Sequence, residues 1–169
     1  MIWTKVSDEL LEILQPYSDW FFKQDLNWLE ELAKNNEKNT DIIENSCSDE
    51  YLKEIVDKDG RHIGYPEISY CYDLRRGGLP GEFQEKYQNL SKELCTWLGA
   101  RNEAVHVYYP KNGFMAWHNN WNAHGYNILL SYTKNGGGFF KYRDPITHEV
   151  VEMLDTPGWT SKVGYYGRG

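Results

Sequence analysis

No stretch of the chain approaches the roughly 18 consecutive apolar residues that a membrane-spanning helix needs, so no membrane partner is expected. Cysteine is scarce. The three residues, Cys47, Cys71 and Cys95, show no C-x-x-C spacing, which argues against a disulfide framework and a Cys-based zinc site and fits reduced thiols. Basic charge is thin as well: 18 Lys and Arg stand against 25 Asp and Glu, for a net charge of -7. The longest basic run is Arg75-Arg76. A general phosphate-backbone binder needs a basic face, so no nucleic-acid partner is expected. The opening residues, Met1 to Lys5, lack the apolar core of a signal peptide, and the expected location is cytoplasmic.

What is abundant is aromatic side chain. Aromatics make up 15% of the chain, with 7 Trp and 13 Tyr. They suit β-sheet faces and lined pockets, and equally a core built from large residues. The length of 169 residues predicts a single domain over 1–169, large enough to bury a core without staples.

The first hundred residues read mainly as helix. Ser7-Asp8-Glu9 is a helix start, and the Leu10, Leu11, Leu14 stripe is expected to end at Pro16. Further helical segments are expected over 18–34 and 41–57, then one strand near 66–73. From Glu82 to Leu98 the apolar residues Phe83, Tyr87, Leu90, Leu94, Trp97 and Leu98 recur every three or four positions, a helix with Gly99 as its C-cap. Beyond Gly99 the pattern is β throughout, with strands predicted over 103–109, 114–118, 126–133, 138–143, 148–154 and 160–166. Asn135-Gly136-Gly137-Gly138 lacks the order of a phosphate loop and reads as a hairpin turn. Helices followed by regularly spaced strands predict an α+β chain, its helices packed on a sandwich or jelly roll.

The stretch richest in chemistry runs from Val105 to Asn120: a strand, a Pro110–Gly113 turn, then Trp117-His118-Asn119-Asn120. It continues through Gly125 to Tyr132, Gly137 to Pro145, and Gly158-Trp159. Over about 100–166 this order resembles the Fe(II)/2-oxoglutarate oxygenases, in the branch found in bacterial viruses and nearest the aspartyl/asparaginyl β-hydroxylase type. The resemblance implies a double-stranded β-helix, Fe(II) and 2-oxoglutarate as cofactors, and hydroxylation of a substrate that the sequence does not name. It makes His118 the candidate catalytic metal ligand, the alternative being a surface or core histidine.

The match departs from the family in two places. Asn120 stands where most members carry a carboxylate. A neutral amide is a weaker ligand for a hard cation, so Asn120 is a candidate metal neighbour or a turn asparagine. The resemblance also implies a second His and a 2-oxoglutarate-binding Arg on later strands, and by strand alignment the last two strands are expected to be missing. Arg168 comes too early to be that anchor, and His106, His124 and His148 read as solvated or turn residues. Tyr126 and Asn127 are candidate co-substrate contacts, or sheet-packing residues. Arg143 beside Asp144 reads as a local ion pair.

Two functional classes follow. The first is an oxygenase, completed if necessary by a complementing fragment. The second is a non-catalytic interaction module, viral or host-binding and so in host cytoplasm if viral, which binds a protein partner or forms a homo-oligomer through open sheet edges.

Overall fold

The computed structural model describes residues 1–57, 66–120 and 124–166. The chain is mixed helix and strand with small antiparallel sheets, an α+β arrangement. It divides into two compact units, Met1–Glu12 with Asn120–Gly169, and Ile13–Asn119.

The Ile13–Asn119 unit takes most of α1 (Asp8–Phe21), then α2 (Asn27–Lys34), α3 (Ile43–Ser46), α4 (Asp49–Asp57) and α5 (Gly81–Leu98). Two short ladders complete it: β2 (Ser69–Tyr70) with β5 (Phe114–Met115), and β3 (Tyr72–Asp73) with β4 (Val107–Tyr108). Its core gathers Phe21, Leu29, Leu74 and Phe83. The Phe83 ring lies 4.9 Å from Trp20, tilted, and 5.1 Å from Trp28, edge-to-face, so aromatic pairs hold α5 on α1 and α2. Gly99 ends α5 in the left-handed conformation at φ 62°, the C-cap that its sequence position predicts. Pro16 does not end α1, which runs on to Phe21. Pro removes one backbone N–H without forbidding helix, and here buried Leu14, Ser18 and Phe21 on either side of it outweigh the loss.

The other unit holds β1 (Ile2–Thr4), β6 (Gly125–Thr133), β7 (Phe139–Arg143), β8 (Val150–Leu154) and β9 (Gly158–Tyr166). One sheet has the order β1-β9-β6, and β7 pairs with β8. The ladder Thr133↔Gly158 is followed by Phe139↔Leu154, so residues 134–138 oppose only residues 155–157. β6–β7 and β8–β9 are therefore the two arms of one long antiparallel ribbon. The predicted hairpin turn at Asn135–Gly138 is instead a bulge in that ribbon, with Gly136 and Gly137 at positive φ and Gly138 accepting a hydrogen bond from the Asp155 N–H. Glycines serve turn and bulge alike; the pairing of β7 with β8 decides between them.

The ribbon turns at 144–149. The Asp144 carboxylate accepts from the Ile146 and Thr147 N–H groups, both at 2.8 Å, and those bonds hold its pKa below the usual range. His148 takes the left-handed position of this turn, φ 62°.

Candidate functional site

His118 stands three positions beyond Met115, the last residue of β5. Ala116 extends that ladder by donating its N–H to the Ile68 carbonyl, and the Trp117 indole donates to the Ser48 carbonyl at 2.9 Å. The segment is therefore fixed on both sides of its backbone. His118 Nδ1 lies 2.7 Å from the Ala116 carbonyl oxygen. A carbonyl can only accept, so Nδ1 carries a proton and donates it. Metal-binding imidazoles are commonly oriented in this way. The next residue, Asn119, has an amide oxygen buried without a hydrogen-bond partner among the described residues. Nothing in the sequence singled it out.

The other predicted site residues do not join this segment in one unit. His118 belongs to Ile13–Asn119, whereas Asn120, Tyr126 and Asn127 belong to the second unit. Asn120 is exposed. Tyr126 is 82% exposed and meets the Tyr165 ring edge-on at 5.4 Å, which is sheet-surface pairing. The Asn127 side chain is half-buried and donates to the Gly125 carbonyl two residues back. Among the described residues no group of three or more His, Cys, Asp or Glu side chains comes together to hold a metal. The described donor set therefore does not make a complete iron site. Arg168 lies outside the described residues.

Two polar clusters that sequence reasoning missed are built into the units. The first centres on His106, which is not the solvated or turn residue expected. Its Nδ1 lies 3.1 Å from the Glu103 carboxylate and its Nε2 lies 3.2 Å from the Tyr17 hydroxyl. With the ring proton directed at the carboxylate, Nε2 accepts from Tyr17. Burial, reinforced by the nearby Glu103 charge, pushes the Tyr17 pKa far above its ordinary value, so the phenol is a neutral donor. Tyr17 also packs on Trp20 and Phe21, which makes this a polar network at the edge of the aromatic core.

The second cluster lies under the three-stranded sheet. Lys162 is 1% exposed and its ammonium pairs with Asp155, itself 7% exposed. The ammonium also sits 4.7 Å from the centre of the Trp3 ring, and Asp155 accepts from the Thr160 hydroxyl.

The opposite face of that sheet carries apolar side chains into solvent. Ladder partners share a face, so Ile2, Val163 and Ile128 form one row across all three strands, with Tyr126 and Tyr165 beside it. Ile2 and Tyr165 are each 65% exposed. β6 is one edge strand of this sheet and β1 is the other. Among the described residues β6 pairs with β9 on one side and with no strand on the other. All nine residues of β6, Gly125 to Thr133, are uncharged and none is Pro.

Searches against protein-family models, curated proteins and solved structures found no match.

Proposed function

We propose that this protein is an interaction module that takes an extended segment of a protein partner as an added strand along β6. The carrying observation is the composition of that edge. Exposed edge strands are normally blunted by charge, Pro or brevity, because an open row of N–H and C=O groups pairs indiscriminately. β6 is nine residues long and has no charge and no Pro, which is the composition of a strand that is meant to be paired. The adjoining Ile2–Val163–Ile128 row and the Tyr126–Tyr165 pair supply side-chain contacts that would give such pairing specificity. Selection from a random library of short displayed peptides tests this. Enriched peptides should be extended, alternating and free of Pro, and should lose binding to the Ile128→Lys protein. A selection that enriches nothing, or enriches peptides indifferent to Ile128→Lys, defeats the reading.

A second reading is favoured by the Nδ1 hydrogen bond of His118. In it the chain carries the jelly roll of the Fe(II)/2-oxoglutarate oxygenases and His118 contributes an iron ligand. Anaerobic titration with Fe(II) and 2-oxoglutarate should then give a visible charge-transfer band that His118→Ala removes. Absence of the band in the unaltered protein rejects this reading.

A further inference from the structure

The partner strand on β6 is itself β6: we infer that two copies of this chain associate about a two-fold axis, edge to edge, to make one continuous six-stranded sheet. This rests on the proposal that β6 is an edge to be paired, and it names the occupant.

The geometry favours a second copy on three counts. The first is closure. A two-fold axis normal to the sheet sets β6 antiparallel to its copy and gives the order β1-β9-β6-β6-β9-β1. The outer strand of that sheet is β1, only three residues long, and short edges resist further addition. Assembly therefore stops at two. Alternate residues of an antiparallel strand aim their N–H and C=O groups to either side, so about four positions of β6 face the axis.

The second is charge. The chain as a whole repels itself at -7, but the unit that holds β6 carries six basic and seven acidic residues, while Ile13–Asn119 carries twelve and eighteen. Most of the excess negative charge thus belongs to the other unit and not to the one that carries β6. Pairing β6 with its own copy brings no like charges face to face in the ladder, because it has none.

The third is the exposed face. The same axis places the Tyr126, Ile128 and Tyr165 patches of both copies on one side of the joined sheet, next to the seam. Ile128 and Tyr126 stand on β6 itself, so in the pair each is partly covered by its neighbours across the axis.

Sedimentation equilibrium on the full chain at micromolar concentration tests this. The expected result is twice the mass of one chain. Ile128→Lys should give a single-chain mass with an unchanged far-ultraviolet spectrum, as should Ile128→Glu. Mixing the two variants should restore the double mass, because opposite charges then meet across the seam. Restoration also shows that each variant is folded. A double mass that survives Ile128→Lys overturns the inference, since another surface would hold the copies together. So does a single-chain mass for the unaltered protein. In that case the peptide selection separates the two ideas: bound peptides keep β6 as a partner edge and reject only the second copy, and no bound peptides rejects both.

Discussion

Replacing Asp155 by Ala should cost more stability than any surface change in its unit. Asp155 and Lys162 are 7% and 1% exposed, so their pairing takes place out of water. Removing the carboxylate strands a buried ammonium whose remaining described partner is the Trp3 ring at 4.7 Å. Breaking a buried ion pair from one side costs about 3–5 kcal/mol. With a urea slope of about 1–3 kcal/mol per molar, the unfolding midpoint should fall by about 1 M or more. The double variant Asp155→Leu with Lys162→Met removes both charges and fills similar volume. It should recover at least half of the loss, because a buried pair often does no better than its apolar replacement. Thr160 loses an acceptor in this variant but retains the Ser131 carbonyl at 3.5 Å. Urea unfolding of the three proteins, followed by tryptophan fluorescence, makes the comparison. If Asp155→Ala costs under about 1 kcal/mol, the pair behaves as a solvated surface bridge and its burial is refuted.

Alkali should weaken the Ile13–Asn119 unit. Burial raises Tyr17, and raises Tyr108 to about 12 and Cys71 to about 11. Each is uncharged in the fold and loses its proton first in the unfolded chain, so their stabilisation is complete below the ordinary thiol and phenol range and falls as pH climbs through it towards the folded values. The urea midpoint should decline above about pH 9, less steeply in Tyr17→Phe; an equally steep decline in that variant removes Tyr17 from the account. Gly138→Ala should destabilise by about 1–3 kcal/mol, since a Cβ there would sit 2.8 Å from Asp155 Oδ2 and 2.9 Å from Thr133 Cγ2. Gly81→Ala, at a helix start with nothing within 4 Å, should be neutral or stabilising, and equal costs at both glycines would refute the steric explanation. Pro16→Ala should stabilise by about 2 kcal/mol by returning an N–H to the interior of α1, and an unchanged midpoint would mean that the helix has absorbed the defect elsewhere.

Residues whose environment is local were readable in the sequence. The three- and four-residue rhythm from Phe83 to Leu98 gave α5, and the strands over 125–133, 139–143 and 150–154 fall within one or two residues of the alternating runs. The errors arose where a distant segment decides. Asn135–Gly138 has the residues of a turn, but residues 150–154 pair beyond it and make it a bulge. His106 has one local partner, Glu103 three residues before it, but the other half of its setting comes from Tyr17, 89 residues away. Tyr126 and Asn127 stand on a strand as expected, but alternation fixes only that they face opposite sides. It does not say which side is covered.

That indeterminacy matters most for β9. Hydrophobic patterning alone would turn Val163 and Tyr165 inward and leave Lys162 in water, yet Lys162 is buried and Tyr165 is exposed. Sliding β9 by one residue would exchange the faces, so something must hold the register against the hydrophobic preference. Two features do so. The bulge at 134–138 fixes how β8–β9 lies along β6–β7, and Asp155, located by backbone bonds with Gly137 and Gly138, captures the Lys162 ammonium. A buried ion pair is a poor source of net stability but a strict one of position, since any other register leaves two buried charges apart. The sheet thus forgoes the burial of Ile128 and Tyr165 within its own chain. Such an arrangement suits a sheet that is extended by a further strand beside β6, which among the described strands pairs with β9 alone.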